Sequence, residues 1–246
     1  MRVSVILPAA GLGTRMGRAT SPERSGPEKS GVSRKQFMLL DSSPILLHTI
    51  RKFQHAPSVS EIVVALRAED LEWVGELVAA EPFAKPVRLV EGGESRQHSV
   101  ENALASLDPA TELVAVHDAV RPFIDVPTIE AVIEEAARTG AAIVGIVPVD
   151  TVKNVKKNVI RQTLPREHLV LAQTPQVFHH ALLKEAFAKA REENFTGTDE
   201  ASLVERLDKV EVTVVTGSDR NIKITKPTDM DLARLFLEQE SAPARA

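Results

Sequence analysis

Apolar residues are distributed along the chain in two repeating patterns. Six short runs are rich in β-branched residues and are apolar almost throughout, which is typical of strands covered on both faces. The predicted strands cover residues 3–7, 61–66, 87–90, 113–117, 142–147 and 212–215. Between them, apolar positions recur at helical spacing in residues 69–80, 97–107, 128–139, 180–192 and 228–240.

A further helix is predicted near residue 44. Ser43 is expected to cap it, with Pro44 at its first position and Ile45, Leu46, Thr49, Ile50 and Phe53 on its buried face. Strands that alternate with helices on this scale predict an α/β fold, a Rossmann-like, doubly wound and mostly parallel sheet. In such sheets ligands bind beyond the carboxyl ends of the strands. Residues that follow a strand are therefore the first candidates for a site.

Two segments lack an apolar period. Residues 18–34 contain two prolines, two glycines and four serines, which predicts a mobile loop or lid. Residues 150–165 are polar, basic and weakly alternating, which predicts a β-hairpin arm that projects from the core. No second-domain linker stands out, so we expect one domain over residues 1–240, with the arm at about 150–165 and a tail at 241–246.

Composition narrows the class of protein. The chain has 246 residues, of which 43% are hydrophobic, and a net charge of −4. A non-specific nucleic-acid binder is usually basic, so no nucleic-acid partner is expected. The chain has no cysteine, which fits a reducing compartment, and it has no run of about 20 apolar residues that could span a membrane. We expect a cytoplasmic protein without a membrane partner.

A glycine-rich segment, Gly11-Leu12-Gly13-Thr14-Arg15-Met16-Gly17, follows the first predicted strand. Glycines let backbone N–H groups approach phosphate oxygens, and the guanidinium of Arg15 suits a phosphate. A dinucleotide fingerprint would place the third glycine one position earlier, and a P-loop would need Gly-Lys-Ser/Thr. A phosphate-binding loop of another kind and a plain glycine turn both remain open at this point.

The segment Ala-Ala-Gly-x-Gly-x-Arg-Met-Gly, from Ala9, resembles the signature of nucleotidyltransferases that activate sugar and polyol phosphates. Further matching segments are Arg34-Lys35-Gln36-Phe37, Gly92-Gly93-Glu94-Ser95-Arg96-Gln97-His98-Ser99-Val100, His117-Asp118-Ala119-Val120-Arg121-Pro122, Thr174-Pro175-Gln176, Thr198-Asp199-Glu200-Ala201-Ser202 and Asn221-Ile222-Lys223-Ile224-Thr225. In this order they resemble the 2-C-methyl-D-erythritol 4-phosphate cytidylyltransferase family, from about residue 3 to residue 237. The resemblance implies transfer of CMP from CTP to methylerythritol phosphate. The products would be 4-diphosphocytidyl-2-C-methyl-D-erythritol and pyrophosphate, in the non-mevalonate route to isoprenoid precursors.

The resemblance also implies roles for particular residues. The implied catalytic residues are Arg15, Lys35, Asp118 and Lys223. The implied nucleotide-binding residues are Ala9, Ala10, Gly11, Gly13, Gly93, Glu94 and Ser99, with Glu94 where the family commonly has aspartate. The implied substrate-binding residues are Arg121, Thr151, Arg166 and Thr198. Asp118 is implied as the ligand of Mg²⁺, and the arm is implied to carry Thr151 and Arg166 across a homodimer interface.

One departure from the family concerns Lys35. The family usually separates the loop arginine from the lysine by a short linker, whereas Arg15 and Lys35 are 20 positions apart here. The intervening segment adds rival cations, namely Arg18, Arg24, Lys29 and Arg34. We retain Lys35 because Lys35-Gln36-Phe37 leads directly into the next apolar run and helix.

Several alternatives remain open. A ribitol 5-phosphate cytidylyltransferase would share the CTP site, and a catalytically silent nucleotide-binding regulator would share the fold. The only Asp-x-Asp, Asp229-Met230-Asp231, lies at a helix start and is interpreted as a cap rather than as the metal site of a glycosyltransferase. His117 is expected to be a structural histidine. Lys223 is flanked by two isoleucines and is expected to face an anion, since burying an unpaired ammonium is unfavourable.

Overall fold

The computed structural model describes residues 1–11 and 34–241. Within them, one seven-stranded sheet is formed by β1 (Val3–Pro8), β4 (Val59–Leu66), β5 (Val87–Glu91), β6 (Leu113–Val116), β7 (Ala141–Ile146), β10 (Leu171–His179) and β11 (Thr213–Thr216). The strands lie in the order β11-β7-β10-β6-β1-β4-β5. Neighbouring strands run parallel, except that β10 is antiparallel to both β6 and β7. The predicted mostly parallel α/β sheet is confirmed.

Helices cover both faces of the sheet, so its central strands are buried on both sides. One face packs against α1 (Ile45–Gln54), α2 (Leu71–Ala79) and α4 (Val126–Thr139). The opposite face packs against α3 (Arg96–Ala105), α5 (His180–Glu192) and α6 (Glu200–Glu205). A smaller apolar cluster joins α7 (Pro227–Ser241) to the chain after β6, through Val120, Phe123, Ile224 and Met230.

The sequence analysis did not predict β10 of the central sheet or the short helix α6. The middle of β10 is Gln173-Thr174-Pro175-Gln176, a polar run that does not resemble a buried strand. Gln173, Thr174 and Gln176 are nevertheless buried because partners elsewhere in the fold bond to them. The amide of Gln176, for example, donates to Asp199 Oδ2 at 2.8 Å and accepts from Ala201 N at 3.0 Å. Such long-range partners cannot be identified from the local pattern of the strand.

The start of α1 was predicted one residue early. Pro44 pairs with Leu39 in a two-stranded ribbon of β2 (Leu39–Leu40) and β3 (Ser43–Pro44). The helix therefore begins at Ile45, whose N–H donates to Met38 O at 3.0 Å. Ser43 makes no cap, and its hydroxyl accepts from Arg51 Nη2 at 3.0 Å.

The predicted hairpin is present as β8 (Lys153–Lys156) and β9 (Val159–Thr163), which pair antiparallel. Lys157 and Asn158 join the two strands, and both have positive φ angles, 52° and 60°. Two consecutive residues of this kind form the tight turn that matches the twist of a hairpin. Every residue of both strands is exposed.

Some sequence predictions lie outside the described residues. They are the positions of Gly13 and Arg15, the interpretation of residues 18–33 as a lid, and residues 242–246 of the tail. Among the described residues, no helix is long and apolar enough to cross a bilayer.

Candidate active site

A cavity of about 220 Å³ lies at the carboxyl ends of β1, β5 and β6. Its lining includes nine of the residues singled out in the sequence, namely Ala9, Ala10, Gly11, Lys35, Gly93, Glu94, Ser99, Asp118 and Lys223. These residues come from five separate segments of the chain. The fold brings them together because parallel strands end at the same edge of a sheet.

The loop after β1 is fixed by hydrogen bonds to its carbonyl groups. Gln36 is buried, and its side-chain amide donates to Ala9 O at 2.6 Å and to Gly11 O at 3.1 Å. Arg67 Nε donates to Ala10 O at 3.1 Å. The three carbonyl oxygens of residues 9–11 are therefore held by side chains from elsewhere, and Gln36 joins this loop to its neighbour Lys35.

The loop after β5 approaches the loop after β1 at Gly92. A Cβ atom at Gly92 would lie 2.7 Å from Ala10 Cβ and 3.2 Å from Leu66 O, so a side chain would force the two loops apart. The hydroxyl of Ser99 accepts from Gly93 N at 3.0 Å and lies 2.8 Å from Ser95 O. Ser99 therefore fixes the turn that carries Gly93 and Glu94 to the cavity.

The end of β6 is stabilised by a chain of hydrogen bonds through His117. The N–H of Asp118 donates to Thr174 Oγ1 at 3.0 Å, and that hydroxyl lies 3.1 Å from His117 Nδ1. His117 Nε2 lies 3.0 Å from Arg121 O. A carbonyl oxygen only accepts, so Nε2 carries the hydrogen and Nδ1 accepts from Thr174. Burial lowers the pKa of His117 to about 4, which keeps the ring neutral. His117 is the structural histidine predicted from the sequence.

Asp118 is surrounded by three cations. Its Oδ2 lies 2.8 Å from Lys223 Nζ and 3.2 Å from Arg121 Nε, and its Oδ1 lies 3.4 Å from Arg96 Nε. Burial raises the pKa of this carboxyl, but Lys223, Arg96 and Arg121 outweigh burial and hold the pKa below its usual range. The carboxylate is therefore ionised, and Lys223 faces an anion as predicted.

Two charged residues that the sequence did not single out complete this cluster. Arg96 makes a bidentate pair with Glu200, with Nη1–Oε1 at 2.6 Å and Nη2–Oε2 at 3.0 Å. Glu200 is buried at the start of α6. Both residues belong to segments that carry the family resemblance, 92–100 and 198–202. Each is an ionisable residue at the start of a helix, and that feature of the sequence could have identified them.

Of the four residues that the resemblance implies bind the substrate, one contacts Asp118 and the other three are exposed. Arg121 contacts Asp118, and its Nη1 donates to Asn221 O at 2.7 Å, which joins it to the segment that carries Lys223. Thr151, Arg166 and Thr198 are exposed and do not line the cavity within one chain. Arg166 donates to Val149 O at the base of the arm.

Comparison with known proteins gives a consistent result. Residues 3–239 match the family model described as IspD, 2-C-methyl-D-erythritol 4-phosphate cytidylyltransferase. A protein of that name from Solibacter usitatus is 65% identical over 246 residues, with 98% of each chain covered. Another of that name, from Acidobacterium capsulatum, is 48% identical over 98% of this chain and 100% of the relative.

Solved structures agree in fold. The synthase of 4-diphosphocytidyl-2C-methyl-D-erythritol from Anaerococcus prevotii superposes with a TM-score of 0.79 at 28% identity, covering 96% of this chain and 98% of that one. The 2-C-methyl-D-erythritol 4-phosphate cytidylyltransferase of Thermus thermophilus gives a TM-score of 0.75 at 32% identity, covering 97% and 100%. With the cation-lined cavity at the strand ends, these matches lead to one conclusion: the chain belongs to the 2-C-methyl-D-erythritol 4-phosphate cytidylyltransferase family, and it is a nucleotidyltransferase.

Proposed function

We propose that this chain transfers CMP from CTP to 2-C-methyl-D-erythritol 4-phosphate and releases pyrophosphate. The observation that carries the proposal is the cluster of Asp118 with Arg121 and Lys223, of which Asp118 and Lys223 line the same cavity as the glycine turn at Gly93. A phosphate-bearing acceptor and a nucleotide could therefore lie side by side. The family membership supports the same reaction.

The reaction joins two anions. A phosphate monoester has a second pKa of about 6, so its oxygen is already ionised at neutral pH and no general base is needed. That oxygen forms a bond to the α-phosphorus of CTP, the bond from this phosphorus to the bridging oxygen breaks, and the electron pair leaves on pyrophosphate. Catalysis then depends on positioning and on cations that neutralise the growing negative charge.

The nucleotide is proposed to lie along the first two loops. The backbone of Ala9, Ala10 and Gly11, with Gly13, is proposed to hold the triphosphate, and Arg15 and Lys35 to stabilise the transition state. Gly93, Glu94 and Ser99 are proposed to contact cytosine and ribose. A cytosine edge matched by backbone and hydroxyl groups rejects a purine because of its size and the hydrogen bonds left unmade.

The acceptor is proposed to lie against the cation cluster. Arg121 and Lys223 are proposed to hold its phosphate, and Asp118 pairs with both cations and holds them close together. Thr198, next to α6, is proposed to contact the polyol. Thr151 and Arg166 are proposed to reach the acceptor from the arm of a second copy, because they are exposed and do not line the cavity of their own chain.

Mg²⁺ is the proposed metal cofactor. Among the described residues no three His, Asp or Glu side chains are grouped as a metal site, so the protein alone offers few ligands. Asp118 is an ionised carboxylate on the cavity wall, and one such oxygen fits Mg²⁺, which takes its other ligands from phosphates and waters. When bound, the ion neutralises charge on the triphosphate.

The domain organisation, the oligomeric state and the location of the protein are proposed as well. The chain is proposed to be one domain over residues 1–240 that forms a homodimer through its arm and acts in the cytoplasm. The absence of cysteine supports a reducing compartment, and the exposed apolar residues of the arm support the dimer.

A pyrophosphate-release assay tests the reaction. The assay crosses CTP, UTP, ATP and GTP with methylerythritol phosphate and ribitol 5-phosphate. We expect turnover only with CTP and methylerythritol phosphate. Turnover only with ribitol 5-phosphate would contradict the proposed acceptor, and no turnover with any pair would favour a nucleotide-binding regulator.

A further inference from the structure

The bidentate pair of Arg96 and Glu200 connects three parts of the proposed site. Arg96 begins α3, directly after the turn that carries Gly93 and Glu94. Glu200 begins α6, two residues after Thr198. The same guanidinium reaches Asp118 through its Nε at 3.4 Å. One side chain therefore contacts the carboxylate that binds Lys223 and Arg121.

We propose that Glu200 is a positioning residue for the reaction, and that it acts through Arg96 on Asp118. This inference rests on the proposed function, because it concerns the same site. Glu200 does not line the cavity and is almost fully buried, so it does not touch the substrates. The guanidinium of Arg96, which contacts both Glu200 and Asp118, connects Glu200 to the reacting atoms.

The orientation of Arg96 depends on Glu200. Two of its three nitrogen atoms are held by the Glu200 carboxylate in a fork that fixes the plane of the guanidinium. Its third nitrogen then donates to Oδ1 of Asp118 and leaves Oδ2 to Lys223 and Arg121. Without Glu200, Arg96 has Asp118 as its only carboxylate partner among the described residues. It would then compete with Lys223 for that carboxylate.

Charge balance supports the same role. The cluster holds three cations, Arg96, Arg121 and Lys223, against two carboxylates, Asp118 and Glu200. Glu200 neutralises the cation that is not proposed to bind the acceptor phosphate. Asp118 therefore remains available to pair with Arg121 and Lys223, the two cations that are proposed to bind this phosphate.

The test compares Glu200→Gln with Glu61→Gln. Glu61 is also a buried glutamate paired with an arginine, with its Oε2 3.0 Å from Arg88 Nε. It lies in β4 five residues before Leu66, where the strand ends, so about 16 Å separates it from the cavity edge. Both substitutions remove one buried carboxylate charge that pairs with arginine, and Glu61 has a second, longer contact of 3.9 Å between its Oε1 and Arg2 Nη2. Both should therefore lower thermal stability, and only one acts near Asp118.

We expect Glu200→Gln to lower kcat by about 10- to 100-fold, because small displacements of positioned groups have effects of this size. The KM for CTP should change less than about twofold, since the backbone contacts to the nucleotide remain. Glu61→Gln should keep kcat near that of the wild type after correction for the folded fraction. Equal kcat values for the two folded variants would overturn the proposal.

A second variant covers the case in which Glu200→Gln does not fold. Glu200→Asp keeps the charge but shortens the side chain, so Arg96 retains a partner and loses the bidentate geometry. A reduced kcat in folded Glu200→Asp supports positioning, and a wild-type kcat overturns it. Wild-type protein is assayed first with CTP and methylerythritol phosphate. An inactive wild type would overturn the proposed function and with it this inference, whereas an active wild type with unaffected Glu200 variants would overturn the inference alone.

Discussion

The neutral state of His117 makes the stability of the fold depend on pH. Burial lowers the pKa of His117 from 6.5 to about 4 in the folded chain. The unfolded chain therefore takes up a proton first, and the stability due to the neutral ring is complete above pH 6.5 and is lost as the pH falls towards 4. The loss is on the order of 3 kcal/mol.

Replacing the ring by a group that does not titrate should remove this dependence. For His117→Gln we expect a lower free energy of unfolding at neutral pH but a shallower decrease between pH 6.5 and 4 than in the wild type. Urea titrations at several pH values measure how the free energy of unfolding changes with pH in each protein, and these two changes are the slopes to compare. Parallel slopes for the two proteins would show that folding does not lower the pKa of His117.

The rival lysines near the glycine loop can be separated by substitution. Lys35 lines the cavity beside Gln36, whereas Lys29 belongs to the segment that departs from the family pattern. We expect Lys35→Ala to abolish turnover, with kcat lower by at least about 10²- to 10³-fold. Lys29→Ala, the matched control, should change kcat little. Steady-state rates for both variants decide between them, and an active Lys35→Ala enzyme would remove the assignment.

At the residue scale, the sequence predicted the groups that line the cavity better than the groups that hold them. Asp118 and Lys223 were found because they follow strands or lie among apolar residues, and both meet in one ion pair. Gln36 and Glu200 were missed as positioning groups. Their partners are Ala9, Gly11 and Arg96, which are distant in the chain, and only the fold brings them into contact.

At the element scale, the short 3₁₀ turn Lys35–Phe37 is joined to the loop after β1 by one amide. Gln36→Glu replaces the donor by an oxygen beside the carbonyl oxygens of Ala9 and Gly11, and the repulsion should displace the loop after β1. We expect the KM for CTP to rise by about tenfold, which corresponds to about 1.4 kcal/mol of binding free energy. Steady-state kinetics at varied CTP concentration measure it.

Gln54→Glu is the matched control for this change. Gln54 also donates its side-chain amide to a carbonyl oxygen, Lys85 O at 2.9 Å, and it accepts from Lys85 N at 2.9 Å. These two hydrogen bonds join α1 to the chain before β5 and do not reach the cavity. Thermal unfolding should show similar losses in both variants. A normal KM for CTP in Gln36→Glu would mean that the hydrogen bonds of Gln36 to the loop after β1 do not contribute to CTP binding.

Periodicity predicted those elements that bury a continuous apolar face. The strands β1, β4 and β6 and the helix α5 were found because their buried residues are apolar and regularly spaced. The strand β10 escaped because its central residues are polar and are stabilised by side-chain partners in other elements. Short α6 has six residues, too few for a helical period to be visible.

At the scale of the whole molecule, the doubly wound fold places the site at the strand ends, and the arm carries two strands whose residues are all exposed. Four apolar residues at the arm and its base are more than half exposed, Val149, Val155, Val159 and Ile160. Water contact at such a cluster is unfavourable, and a second copy that accepts the arm would remove it. The same exchange would bring Thr151 and Arg166 to a neighbouring cavity.

A charge among the exposed apolar residues of the arm should prevent this assembly. We expect wild-type protein to be a dimer in sedimentation experiments, Ile160→Lys to be a monomer, and its turnover to be lower than that of the wild type. Leu235→Lys is the matched control, because Leu235 is similarly exposed but lies in α7. It should stay dimeric and active. A monomeric wild type with full turnover would exclude arm exchange.

Complementation tests whether the arm acts across the interface. Asp118→Asn and Arg166→Ala chains should each be nearly inactive alone. In a mixed dimer, the Arg166→Ala chain contributes an intact Asp118, and the arm of its partner contributes an intact Arg166. One of the two sites is then complete. With equal co-expression and random pairing, about a quarter of wild-type turnover should return. If Arg166 served the cavity of its own chain, every site would lack one of the two groups and the mixture would stay inactive.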